Sequence, residues 1–146
     1  MACSARLETS VPGIYAAGDA AEFQSPLHDG ERVVIEHWDV AVEHGKMVAL
    51  NMLGREREHD TVPYFWSDLG DWLSLEYVGT GSGEPVVRGS LDDGDFTVFY
   101  LADGRVRAAL TAARSDDIDH ARRMIRERAT PAPRALADES TDLADL

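Results

Sequence analysis

Residues 9–21 read TSVPGIYAAGDAA, and the interpretation of the whole chain starts from this stretch. Val11-Pro12-Gly13 is typical of a turn. The apolar run Ile14–Ala17 that follows it predicts a short buried strand. Gly18 and Asp19 bound that run, so we expect the strand to end at a glycine–aspartate pair.

A helix is predicted downstream of this strand. Small or apolar residues recur at alternating intervals of four and three, which places them on one helical face. They are Val34, Trp38, Ala41, Gly45, Val48 and Met52. Gly54 is a suitable C-terminal cap, so we expect an amphipathic helix from about Val34 to near Gly54 that packs on a sheet with Trp38 on its core side.

The middle of the chain changes to the period of β-strands. We expect strands at Leu73–Val78, Pro85–Arg88, Asp95–Leu101 and Arg105–Thr111. Asp103-Gly104 lies between the last two, and this pair favours a two-residue hairpin turn with positive φ. The pattern therefore predicts an antiparallel sheet.

A second helix and a tail follow the sheet. Ser115-Asp116-Asp117 resembles an N-cap with acids in the first turn, and four arginines lie near the end of the segment, which suits the helix dipole at both ends. Residues 131–146 contain two prolines and several acids with few bulky apolar side chains. We expect them to form a disordered acidic tail.

Composition excludes several classes of function. The 146 residues carry 14 basic and 27 acidic side chains, a net charge of −13, which disfavours non-specific binding to nucleic acid or to anionic membranes. Cys3 is the only cysteine, so the chain cannot form an internal disulfide or a cysteine-only zinc site. Without a long apolar segment, a cytoplasmic protein is the expectation.

Local motifs for metal or nucleotide binding are weak. His37 and His44 are seven residues apart on the predicted helix, about 10 Å, too far to share one metal ion. The glycines of residues 79–83 precede Pro85 and a strand rather than a helix, so they indicate a flexible turn and not a phosphate loop. The aromatic cluster Tyr64-Phe65-Trp66 has two interpretations. It could pack in a hydrophobic core or domain interface, or it could form the wall of a site for a flat aromatic ligand.

Several segments resemble a known family when they are taken together. Residues 9–21 are similar to the second FAD-binding signature of the pyridine nucleotide-disulfide oxidoreductases. RVVIEHWDVAVEHG at 32–45, NMLG at 51–54 and VPYFWSDL at 62–69 resemble the ferredoxin reductase branch. The resemblance extends to about residue 128, where residues 86–89, 99–101 and 103–106 are similar to the C-terminal domain of those reductases.

The resemblance implies a set of FAD contacts. Asp19 would bind a ribityl hydroxyl of FAD, and Gly18 would allow the backbone to approach closely. Glu36, His37 and Trp38 would lie at the helix N-terminus that faces the pyrimidine edge of the flavin, with His37 and Trp38 as the main contacts. Trp66 would lie beside the isoalloxazine ring. No catalytic acid, base or nucleophile and no metal ligand is assigned.

The resemblance also defines the expected architecture. We expect an α+β chain in three parts. Residues 1–58 would be the C-terminal segment of a FAD-binding α/β domain and contribute a strand and an amphipathic helix. Residues 59–130 would form a reductase C-terminal domain with an antiparallel sheet and a helix, and residues 131–146 would be the tail. The GxGxxG fingerprint for FAD and the NAD(P)H domain of the family lie outside this chain.

The expected function is therefore that of a part of a larger enzyme. The chain would supply flavin-side contacts of an FAD-dependent NAD(P)H oxidoreductase and would not be catalytic alone. Its partners would be the N-terminal FAD and NAD(P)H domains, or a second copy of itself, and an iron–sulfur electron carrier. The alternative is a non-catalytic dimerisation or interaction module in which an exposed sheet face and the aromatic cluster associate with another chain.

Overall fold

The computed structural model describes residues 1–146 and divides them into two compact units, Met1–Pro63 and Tyr64–Leu146. The first unit combines a small mixed sheet with one long helix, and the second combines a five-stranded antiparallel sheet with helices. The predicted α+β fold is confirmed. None of the helices is long and apolar enough to cross a membrane.

The first unit is built around three very short strands and helix α1 (Trp38–Met52). The strands are β1 (Ala2–Cys3), β2 (Glu22–Gln24) and β3 (Arg32–Val33). Strand β2 is central, parallel to β1 and antiparallel to β3. The core of the unit combines small and large apolar side chains from the strands, the loops and α1, among them Cys3, Leu7, Ala16, Phe23, Val40 and Met47.

The predicted strand at Ile14–Ala17 is wrong. The run makes only an isolated bridge between Glu8 and Tyr15, with backbone hydrogen bonds from Thr9 N to Ile14 O and from Ala16 N to Leu7 O. Ala16 is buried while Ile14 is half exposed. The apolar composition of the run therefore reflects one buried position and not a regular strand.

Helix α1 is confirmed, but it begins later than predicted and buries a different face. Its buried residues are Val40, His44, Met47, Val48 and Asn51. Trp38, which was expected to face the core, is 71% exposed. The predicted face was wrong because two polar residues occupy core positions, and both bind backbone groups there.

The end of α1 agrees with the prediction. Gly54 follows the helix with a φ of 78°. The amide of Gly54 donates to Asn51 O, and that of Arg55 donates to Leu50 O, which satisfies carbonyls of the last turn. Asn51 also accepts from the Arg57 amide at 2.6 Å, so the chain beyond the helix is held to α1.

Five antiparallel strands form the sheet of the second unit, in the order β4-β5-β8-β7-β6. They are β4 (Tyr64–Leu69), β5 (Leu73–Gly79), β6 (Glu84–Ser90), β7 (Asp95–Ala102) and β8 (Arg105–Ala112). Asp103 and Gly104 join β7 to β8 with φ values of 52° and 75°, as the predicted hairpin turn requires. Strand β4 was not predicted as a strand, because its aromatic sequence indicated only a core or a ligand wall.

Helix α2 (Ser115–Glu127) packs on this sheet. It buries Ile118, Ala121 and Met124, which are three residues apart along the helix. Its first turn contains Asp116 and Asp117, as the sequence predicts. The helix dipole is therefore complemented by acids at the N-terminus.

Residues 131–146 are ordered, contrary to the predicted disordered tail. They form the short helix α3 (Pro133–Ala137) and a final 3-10 turn at Leu143–Asp145, and both Leu136 and Leu143 are buried. The buried guanidinium of Arg88 donates to four backbone carbonyls of this segment, those of Leu136, Asp138, Glu139 and Thr141. Together with the buried leucines, these contacts stabilise the segment in the fold.

Removal of the Arg88 guanidinium should therefore destabilise the second unit. We expect Arg88→Met to lower the free energy of unfolding by about 3 kcal/mol, since a buried charged donor contributes more than a neutral one and its loss leaves several carbonyls unpaired. Urea unfolding measures the change, and amide exchange of residues 136–146 locates it. The exposed Arg126 provides the control Arg126→Met; equal losses in both variants would contradict the assigned role.

Candidate functional site in the first unit

Gly18 and Asp19 begin a single 3-10 turn that packs against α1. The turn covers Gly18–Ala20 and is closed by a hydrogen bond from Ala21 N to Gly18 O. Gly18 has a φ of 64°, and a Cβ there would lie 3.3 Å from the Cβ of Ala41. Glycine thus satisfies both a left-handed conformation and a close approach to the helix. Asp19 is exposed.

The other site residues predicted in this unit surround the N-terminus of α1. Glu36 is exposed in the extended segment before the helix, and His37 is the N-cap residue, with φ −115° and ψ 140° and no side-chain capping hydrogen bond. Trp38 begins the helix with its indole largely in solvent. The turn contacts α1 within the helix's first turns, at Ala41 and His44.

Two buried histidines lie beneath the turn. His44 is fully buried, and its Nδ1 accepts a hydrogen bond from the Gly18 amide at 3.2 Å. Its ring centroid lies 4.4 Å from that of His59 and 4.8 Å from that of Phe23, both at steep angles. Burial lowers the pKa of both histidines to about 4, so both rings are neutral at pH 7.

The remaining predicted site residue, Trp66, lies on β4 in the second unit and is 53% exposed. Its ring stacks near that of Tyr64, with centroids 6.2 Å apart. The Arg122 guanidinium lies 5.5 Å from the centroid of the Tyr64 ring, at a distance suited to a cation–π interaction. Within this unit, Trp66 therefore belongs to a small aromatic surface with one adjacent cation.

The sequence analysis missed His44 as a contributor to the site. His44 and Asn51 share the row Val40, His44, Met47, Asn51, whose intervals of four, three and four define one helical face. That spacing could have placed His44 in the core. It did not do so because only apolar and small residues were considered for the buried face.

The family model for the C-terminal region of reductases, described as Reductase C-terminal, matches residues 64–146. These are the residues of the second compact unit. The chain therefore belongs to the reductase C-terminal family.

Curated relatives extend the similarity into the first unit. Putidaredoxin reductase of Pseudomonas putida is 37% identical over 142 residues, which are 96% of this chain and 33% of that protein. The reductase component of the anthranilate 1,2-dioxygenase system of Burkholderia cepacia, a ferredoxin–NAD(+) reductase, is 40% identical over 138 residues, 92% of this chain and 34% of that protein. The chain thus spans about a third of the length of these relatives.

Solved structures show the same fold. The ferredoxin reductase of the CYP199A2 system from Rhodopseudomonas palustris superimposes with a TM-score of 0.90 at 31% identity, covering 99% of this chain and 36% of that one. Putidaredoxin reductase in its covalent complex with putidaredoxin gives a TM-score of 0.89 at 35% identity, with 99% and 34% covered. Both similarities include the first unit as well as the second.

Proposed function

We propose that this chain supplies the flavin-side end of the FAD site of a ferredoxin reductase-type NAD(P)H oxidoreductase. The observation that carries the proposal is the arrangement in the first unit, where the Gly18–Asp19 turn packs on α1 and leaves Asp19 and Trp38 exposed. The proposal assigns residues 1–58 to a FAD-binding domain, followed by the second compact unit, residues 64–146, as the reductase C-terminal domain.

Asp19 would hold the ribityl chain of FAD. A carboxylate accepts hydrogen bonds strongly from hydroxyl groups, and charge-assisted bonds of this type are short and specific. The turn fixes the position of the carboxylate, since Gly18 is held by both a hydrogen bond and a close contact to α1. The residues present therefore fit the polar, hydroxyl-rich part of the cofactor.

The N-terminus of α1 would face the pyrimidine edge of the flavin. The helix dipole gives this end a partial positive charge, which favours negative charge on a neighbouring group. His37 and Trp38 would contact the ring, and Glu36 would lie beside it. When bound, FAD supplies the hydride and single-electron chemistry, while the protein orients it and sets its electrostatic environment.

The rest of the reaction would require the N-terminal FAD and NAD(P)H domains of the family, which are the proposed first partners of this chain. An iron–sulfur carrier is the proposed electron acceptor, in line with the relative solved as a complex with putidaredoxin. The chain's net charge of −13 favours a carrier with a basic contact surface.

An interaction module remains the second candidate function. Strand β4 is an edge of the five-stranded sheet, and its Phe65 and Trp66 are substantially exposed, as is Trp72 just beyond it. Unpaired strand edges and exposed aromatic residues are common features of association surfaces. In this function the chain would pair with a second copy of itself and would need no flavin.

The flavin contact of Asp19 can be tested in a chimera. The matching third of the Burkholderia cepacia anthranilate dioxygenase reductase is replaced by this chain, to which it is 40% identical. We expect Asp19→Ala to raise the dissociation constant of FAD by about 10- to 150-fold, the effect of losing one hydrogen bond to a charged group. Flavin fluorescence during FAD titration measures the constant.

The exposed Asp92 provides the matched control, Asp92→Ala, which removes the same charge in the second unit. Unchanged FAD affinity in the Asp19 variant would remove Asp19 from the site. A folded chimera that binds no FAD would contradict the flavin proposal as a whole and favour the interaction module.

Trp38 and Trp72 allow a second matched test, because their side chains are exposed to similar extents, 71% and 75%. We expect Trp38→Leu to weaken FAD binding by about threefold to tenfold, since an aromatic contact with the ring is lost. Trp72→Leu should leave the affinity unchanged. Titration of both chimera variants with FAD measures this difference, and equal effects would contradict the position assigned to Trp38.

A further inference from the structure

His44 lies directly beneath the turn that presents Asp19. The Gly18 amide donates to His44 Nδ1 at 3.2 Å, and His44 has no exposed surface. The turn continues from Gly18 through Asp19 and is closed by the Ala21 amide. The imidazole therefore binds the residue immediately before Asp19 and connects the turn to the core.

This hydrogen bond requires one protonation state of His44. Nδ1 can accept only if it carries a lone pair, so the ring proton must lie on Nε2 and the imidazole must be neutral. A protonated ring carries a proton on Nδ1 as well as on Nε2, so an N–H group at Nδ1 would face the N–H group of Gly18. The Gly18–His44 bond would then be lost.

The surroundings of His44 favour the neutral ring. Phe23 on β2 and His59 in the segment after α1 pack against it edge to face, and Nε2 of both His44 and His59 is buried without a hydrogen-bond partner. The charged groups nearby are Asp60, next to His59, and Glu43 on α1; both raise the pKa of His59, but burial and the His44 ring outweigh them. His59 is thus a second basic ring beside His44, and it is also neutral at pH 7.

We propose that His44 is a positioning residue for Asp19, which fixes the Gly18–Asp19 turn through Nδ1 as long as its imidazole is neutral. The link to cofactor binding rests on the proposed function, because the turn matters for FAD only if Asp19 binds it. The contact itself is a property of the chain alone. The turn is held at neutral pH and released when His44 becomes protonated in acid.

The direction of the pH effect follows from the lowered pKa. In the unfolded chain a histidine takes up its proton near pH 6.5, whereas burial in the folded protein delays uptake at His44 until about pH 4. The unfolded state binds more protons between these values, so the stability that His44 contributes is present above about pH 6.5 and is lost as the pH falls towards 4.

The experiment follows the Gly18 amide in the ¹⁵N-labelled 146-residue chain by NMR, without flavin. We expect its proton shift to move on acidification with a midpoint near pH 4, together with the His44 ring signals. His44→Gln keeps an acceptor that does not titrate, so the part of the Gly18 shift change that follows the His44 ring should be absent in this variant. His44→Leu should raise the exchange rate of the Gly18 amide about tenfold at pH 7.

His59→Gln serves as the control, because His59 packs against His44 without binding Gly18; this variant should leave the Gly18 exchange rate at pH 7 unchanged. The inference is overturned if Gly18 titrates identically in the parent chain and in His44→Gln, or if the His44 ring carries its proton on Nδ1 at pH 7. If His44→Leu does not fold, the comparison of the Gly18 titration in the parent chain and in His44→Gln still tests the inference.

FAD titration of the chimera separates this inference from the proposed function. His44→Leu should weaken FAD binding and His44→Gln should restore it, provided that Asp19→Ala also weakens binding. If Asp19→Ala has no effect while Gly18 behaves as expected, the flavin proposal fails and the positioning contact stands. If the Gly18 amide shift does not follow the protonation of His44 while Asp19→Ala weakens FAD binding, only the positioning role fails.

Discussion

Two polar side chains of α1 hold the loops of the first unit in place. His44 accepts from the Gly18 amide, and the amide of the Asn51 side chain donates to the carbonyls of Arg6 and Arg57. This unit has only three strands of two or three residues, so regular pairing orders little of its backbone. Backbone amides and carbonyls that are shielded from water need partners, and α1 supplies partners for backbone groups at three separate points of the chain. The geometry of the proposed flavin site depends on this constraint.

The second unit uses the same type of interaction on a larger scale. Its five strands form a continuous antiparallel sheet, but the last segment of the chain is held by guanidinium groups that bind backbone carbonyls. Arg88 binds residues 136–141, and Arg123 donates to the carbonyls of Leu143 and Leu146. Arginine suits this role because it is always charged and presents several donors in a fixed plane. An acidic segment with few apolar residues is thereby kept in the fold.

Local sequence patterns predict an element correctly where the contacts that define it join residues close in sequence. The hairpin at Asp103-Gly104, the end of α1 at Gly54 and the acidic first turn of α2 follow from interactions between residues close in sequence, so the chain predicts them well. The burial of His44, Asn51 and Arg88 depends on carbonyls and amides that are distant in sequence. The spacing of small and apolar residues therefore predicted the wrong face of α1, and composition wrongly predicted a disordered tail. Strand β4 was missed because its pairing with β5, and not its own pattern, defines it.

The residues of the candidate site were also predicted only in part from the sequence. The resemblance to ferredoxin reductases nominated Gly18, Asp19, Glu36, His37, Trp38 and Trp66, and the structure places the first five around one turn and one helix N-terminus of the first unit. Their roles towards FAD stay predictions.

The most direct test is a crystal structure of the chimera with FAD. The account predicts an Asp19 carboxylate oxygen within about 3 Å of a ribityl hydroxyl, with the flavin pyrimidine edge at the N-terminus of α1. A bound flavin that leaves Asp19 in solvent would contradict it.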